Sequence, residues 1–182
     1  MRTVKATVPS AVLIFSLCGI PSSGAQNKQE LEKIHARLAS QVRHELVMLS
    51  RYTLFDILEF EIMDVDTVVL SGEVVRPTLK SDAESVVRRI EGVGKVINKI
   101  EVLPLSPFDD RIRIAAYRTI FSKPGLEKYG FQAVPPIHII VKNGSITLAG
   151  IVANQIDKDL AGIAAREVAG TFGVTNNLRV EK

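Results

Sequence analysis

The chain has 182 residues, 46% of them hydrophobic and 24% charged, which is the balance of an ordinary globular protein of one or two small domains. A formal net charge of +3 on so apolar a chain is too small to keep it unfolded by self-repulsion. One Cys, three His and no Trp exclude a disulfide scaffold and leave little from which to build a catalytic or metal centre.

Residues 1–25 have the layout of a secretory signal peptide. Arg2 and Lys5 supply the positive start, the run from Ala11 to Ile20 supplies the apolar segment, and Pro21 to Ala25 supplies a breaker and small residues. The apolar run is shorter than the roughly 20 residues a membrane span needs, which favours cleavage over the alternative of an uncleaved N-terminal anchor. Leu17 before Cys18 does not fit a lipoprotein signal. Cleavage after Ala25 leaves 21 basic against 20 acidic residues and no Cys, so charge gives no argument for nucleic acid. The expected location is periplasmic or secreted, where thiol chemistry would play no part.

A long amphipathic helix over residues 29–50 follows, with Leu31, Ile34, Leu38, Val42, Leu46 and Leu49 recurring every three or four positions. Next come strands over 57–63 and 67–75, a helix over 81–90 and a strand over 96–103. Ser81 and Glu84 stand at capping-box spacing. The first hairpin has no glycine, only Asp64-Val65-Asp66. A linker at 104–108 contains Pro104 and Pro107, stiff enough to hold two modules in a restricted arrangement.

The second half repeats the first. A helix over 109–121 carries Ile112, Ala116 and Ile120 on one face. Ile137, Ile139 and Val141 then alternate with His138, Ile140 and Lys142 as a strand, and Asn143-Gly144 signals a tight hairpin. In the returning strand Ile146, Leu148, Gly150 and Val152 share a face. Asn154 is placed to cap a helix whose apolar face reads as Ile156, Leu160 and Ile163, widened by Ala161, Ala164 and Val168. Val174, Asn176, Leu178 and Val180 alternate as a last strand.

Residues 66–102 align without a gap on 144–180, and ten of the 37 positions are identical. Among them are Leu70/Leu148, Gly72/Gly150, Gly92/Gly170 and Asn98/Asn176. This is a tandem duplication. The reading is an α+β chain of two repeated helix–strand–strand–helix–strand modules, 26–103 and 109–182. Each module is a three-stranded mixed sheet with two helices on one face, and modules this small are expected to pack on one another. The shared glycines read as structural, permitting close helix-on-sheet approach and left-handed helix endings. Asn98 and Asn176 read as inward amides bonded to backbone at the turn entering their strand.

The segments 68–74 and 145–152 resemble the hydrophobic-Thr-Leu-Ser-Gly-x-Val core of the BON domain, and 92–98 and 170–176 resemble its closing Gly-Val-x-x-Val-x-Asn. Thr171 departs from that pattern, where the family prefers Val. Two such sets behind a signal peptide resemble the OsmY-like tandem BON proteins. That resemblance implies a non-enzymatic envelope module, associated with phospholipid surfaces, osmotic or envelope stress, and attachment to larger membrane-associated proteins.

No site residue reads as catalytic. The three His are scattered, no spacing suits a metal, and no cofactor motif is present, Gly94-Lys95 being followed by Val96. The stretch from 111 to 131 stands out. Arg111, Arg113, Arg118, Lys123 and Lys128 are interleaved with Tyr117, Phe121, Tyr129 and Phe131. Cations flanking aromatics suit an anionic phospholipid surface, with Arg113, Tyr117 and Phe121 as one helical stripe. The alternative is a chaperone or protein-interaction role in the envelope through the Leu-rich helix 31–49. Nucleic acid is not an expected partner.

Overall fold

The computed structural model describes residues 23–64, 66–132 and 135–181. The start and apolar run of the expected signal peptide lie outside these residues. Helix α1 (Ser23–Val47) leads into an antiparallel hairpin of β1 (Ile57–Met63) and β2 (Thr67–Val74). Helix α2 (Pro77–Arg88) then crosses back to β3 (Lys95–Asn98) and β4 (Glu101–Val102), both parallel to β2. The second module repeats the order: α3 (Pro107–Phe121), a one-turn α4 (Glu127–Gly130), β5 (Ile137–Lys142), β6 (Ser145–Val152), α5 (Gln155–Arg166) and β7 (Gly173–Val180). Its sheet runs β5-β6-β7, antiparallel then parallel. The duplicated α+β architecture is as the sequence predicts.

Local chemistry explains where boundaries moved. Pro77 opens α2 four residues before the expected start, because a proline at the first helical position loses no hydrogen bond. Ser81 is therefore inside the helix, its hydroxyl donates to the Thr78 carbonyl, and the expected capping box does not form. Ser106 likewise caps α3 ahead of Pro107, accepting the Asp109 N–H at 3.1 Å. Asn154 caps α5 as expected, accepting the Asp157 N–H at 2.8 Å. The third strand of the first module is split at Lys99 and Ile100, where the Asn98 side chain takes the Ile100 N–H at 3.1 Å.

Each module buries one face of its sheet under its two long helices. Leu38, Val42 and Leu46 of α1 and Leu79, Ala83 and Val87 of α2 close over Val68, Leu70 and Val74. Ile112, Ala116 and Ile120 of α3 and Ala161, Ala164 and Ala165 of α5 close over Ile139, Ile146 and Leu148. The apolar face expected on α5 is displaced. Ile156 is 76% exposed and Ile163 50% exposed, and the small residues face the sheet instead. Alanines let the helix sit close to the strands, which turns the bulkier isoleucines outward.

The modules pack together. Every residue of β5 from Ile137 to Val141 is buried, on both faces of the strand. One face lies on the second core. At the free edge of β5 the Ile139 N–H donates to the Leu54 carbonyl at 2.8 Å, and Leu54 and Phe55 of the first module pack into that core, while on the other face Tyr52 lies against His138. Lys142 reaches Glu101 at 2.7 Å across the same seam.

Candidate interaction surface on the second module

The shared glycines and asparagines are structural, in ways that correct the sequence reading. Gly72 and Gly150 hold φ of +117° and +122°, and a Cβ would fall 2.1 Å from the Ile57 carbonyl oxygen and 1.9 Å from that of Pro136. The close approach is thus to the paired backbone, not to a helix. Gly92 and Gly170 also have positive φ, in the turns that follow α2 and α5. Asn98 and Asn176 donate to the helical carbonyls of Lys80 at 2.9 Å and Lys158 at 2.8 Å, not to a turn. The amides tie strand to helix identically in both copies. Gly162 leaves room for Asn176, whereas Glu84 at the matching position accepts a second bond from Asn98 at 3.1 Å.

The residues proposed for membrane contact do not share one surface. Arg111, Tyr117 and Arg118 face outward from α3 with the exposed Ile114 between them. Tyr117 packs on the half-buried Phe121, ring centroids 5.2 Å apart. Arg113, in contrast, is only 4% exposed. Its guanidinium donates to the Val141 carbonyl at 2.8 Å and pairs with Asp110, so it pins α3 to β5 and is not part of an outward stripe. Tyr129 is also inside. Its hydroxyl donates to Asp157 at 2.6 Å and accepts the Ala153 N–H at 2.8 Å, and burial raises its pKa. Lys128 bonds Asp157 at 2.8 Å, which holds that carboxyl below its usual range and lifts the lysine above its own. Lys123 pairs with Glu167. The two lysines are therefore committed to neighbours.

Two aromatics not singled out by the sequence reading extend the outward face. Phe108, in the first turn of α3, is 36% exposed, and Phe172, between α5 and β7, is 78% exposed. Their centroids are 5.8 Å apart, beside the Asn143-Gly144 hairpin, and the Arg111 guanidinium lies 5.8 Å from the Phe108 ring. Beneath them the buried Asp109 accepts the N–H groups of Asn143 and Gly144 at 3.0 and 2.8 Å, fixing the hairpin to the helix. The signal that could have found Phe172 is the repeat itself, since Gly94 stands at its position in the first copy.

The repeat contrast continues along α5. The exposed Ile156 and Ile163 stand where α2 has the exposed Thr78 and Ser85, whereas Leu160 between them packs half-buried on the core. The fold therefore does not need apolar side chains there. The other surface foreseen as adhesive, the helix 31–49, has spent Leu38, Val42 and Leu46 on the first core and leaves Leu31 and Ile34 exposed. No group of three or more potential metal ligands occurs among the described residues. Nor is any described helix long and apolar enough to cross a membrane.

A duplicated two-layer α+β module with an asymmetric surface is thus the class that fold and site define. The BON-domain family model matches residues 35–104 and 125–182, and the chain belongs to that family. BON-domain proteins are generally envelope-associated and generally non-enzymatic. Among solved structures, CdsD, a structural protein of the type III secretion system of Chlamydia trachomatis, is similar at 15% identity and a TM-score of 0.31. That match covers 79% of this chain and 64% of the other, so this chain spans less than two thirds of its length. The C-terminal domain of CdsD matches at 14% identity and a TM-score of 0.28, covering 76% of this chain and 96% of that one. No curated protein matches the chain.

Proposed function

We propose that this protein is a non-enzymatic envelope protein that associates with anionic phospholipid surfaces through its second module, in envelope maintenance or osmotic stress. The observation that carries the reading is the exposed Phe108–Phe172 pair with Arg111 over it, at a place where the first module has Gly94. Two phenyl rings offer shallow burial at headgroup depth, while Arg111 and Arg118 offer long-range attraction and phosphate contact. The exposed Ile114 continues the Arg111 and Arg118 side along α3.

Cosedimentation with neutral and anionic vesicles at low and moderate salt tests this. Binding should be confined to anionic vesicles and fall as salt rises. Phe172→Gly, which restores the residue of the first module, should weaken it at least tenfold, since a buried phenyl contributes roughly 1.5–3 kcal/mol. Arg111→Glu should weaken it further. No binding under any condition refutes the proposal and favours the protein-interaction reading, for which the exposed Ile156 and Ile163 of α5 are the specific support.

A further inference from the structure

The seam between the modules is one-sided. Leu54 and Phe55 of the first module pack into the second core, whereas the first core, among the described residues, takes side chains only from its own module. The edge strands are otherwise equivalent. Phe60 stands opposite Leu70 as Ile139 stands opposite Leu148, so Phe60 is the counterpart of Ile139. The Leu54 carbonyl accepts the Ile139 N–H, but among the described residues no acceptor outside the sheet meets the Phe60 N–H.

Beside Phe60 lies a cleft of about 560 Å³. It touches Leu58 and Phe60, which pack on the first core, and also Glu59 and Glu61, which alternate with them on the other face of β1. A cleft that reaches both faces of one strand follows its free edge. Ala39 and Leu46 of α1 supply its apolar wall. Ala39 and Arg43 stand at the positions of Tyr117 and Phe121, so the first module leaves room between helix and strand where the second carries two rings. An unpaired strand edge beside an apolar helix is a place where another polypeptide can dock.

The rim mixes Arg43 and Arg179 with Glu59 and Glu61, so charge does not select the occupant. A second copy suits it poorly. Pairing two β1 edges antiparallel about Phe60 sets Glu59 against Glu61, and the Leu54 and Phe55 of another copy are committed to its own second core. The occupant of the twin edge is the better guide. It is a turn that holds itself together, with the Asp56 N–H on the Thr53 carbonyl at 3.1 Å and the Asp56 carboxylate on the Thr53 N–H and hydroxyl at 3.0 and 2.7 Å.

We propose that the cleft between α1 and β1 receives an apolar turn of a partner protein. Its backbone carbonyl accepts the Phe60 N–H, and its bulky side chains lie against Ala39, Leu46 and Leu58, as Leu54 and Phe55 do for the second module. Water leaving these apolar surfaces supplies the drive.

Fluorescence anisotropy of the full chain with a labelled peptide copying residues 50–57 tests this. The peptide should bind saturably at one per chain, equally at low and moderate salt. Replacing its Leu54 and Phe55 by Ser should abolish binding. Ala39→Glu in the protein should weaken binding at least tenfold with circular dichroism unchanged, and saturating peptide should slow amide hydrogen exchange at Phe60. Phe172→Gly should leave peptide binding intact even where it abolishes vesicle binding, which separates the two proposals. No saturable binding, indifference to Ala39→Glu, or unchanged exchange at Phe60 overturns the assignment. Self-association of the chain that Ala39→Glu abolishes would give the cleft to a second copy and overturn it as well.

Discussion

Replacing Gly150 by Ala tests the strand-approach argument most directly. The new Cβ would lie 1.9 Å from the Pro136 carbonyl oxygen, more than 1 Å inside any tolerable contact, on a residue at φ +122°. Holding Ala at that φ costs about 1 kcal/mol or more. Parting the strands overpacks the joint at about 1–3 kcal/mol. It also strains the bond from the Ile151 N–H to Pro136, 3.1 Å long and worth about 1 kcal/mol. The sum is about 3–5 kcal/mol, a large part of the stability of a small domain. Gly92→Ala is the control, because its φ is +94° but nothing lies within 4 Å of the added carbon, so only the backbone term of about 1 kcal/mol applies. Urea unfolding of the full chain should show a midpoint shift several times larger for Gly150→Ala, and Gly72→Ala should resemble it. Equal shifts for Gly150→Ala and Gly92→Ala would refute the reasoning.

Arg113→Ala should cost about 2–3 kcal/mol, since it removes a charged donor to Val141 and unpairs Asp110, while vesicle affinity per folded molecule stays unchanged; a loss of vesicle binding without loss of stability would return Arg113 to the surface. His138 supplies a pH dependence. Burial depresses its folded pKa below the ordinary 6.5, so the unfolded chain takes the proton first, and stability is full above that value and declines as pH falls below it. The slope from this one group is at most about 1.4 kcal/mol per pH unit. Urea midpoints at pH 7.5 and 5.5 should differ less in His138→Phe than in the parent, and an unaltered difference would count against it. Asn176→Ala should cost about 1–3 kcal/mol by removing the second bond to the helical Lys158 carbonyl and leaving the Leu178 N–H without its acceptor, and an effect under 0.5 kcal/mol would show that the amide tie is dispensable.

The duplication, the element order and both cores on the helix-covered faces were legible because alternation and helical spacing register which side of an element meets its own module. Val68, Leu70 and Val74, or Ile112, Ala116 and Ile120, are written in that periodicity. The second burial of β5 was not, because His138 and Ile140 are covered by the other module, and nothing local records a distant partner. The face of α5 was misread for a related reason. Spacing alone cannot tell a stripe of isoleucines from the adjacent stripe of alanines, and close packing on the sheet selects the smaller. In the candidate surface, residue type singled out Arg111, Tyr117 and Arg118, which are exposed. It could not separate them from Arg113 and Tyr129, whose polar ends find buried partners across the chain. Phe108 and Phe172, 64 positions apart in the chain, come together only through the fold.

The insertion of Leu54 and Phe55 into the second core means that the covalent and physical seams of this protein lie in different places. A cut at the proline linker would hand the second module its helices and strands but leave behind the segment that lines one edge of β5. The severed piece would present a bare strand edge beside Ile140, an invitation to pair with its own kind. A duplicated gene has in this way become a chain whose halves can no longer be traded freely. The loop before the first hairpin is the stitch, and any exchange of modules between relatives must carry it along.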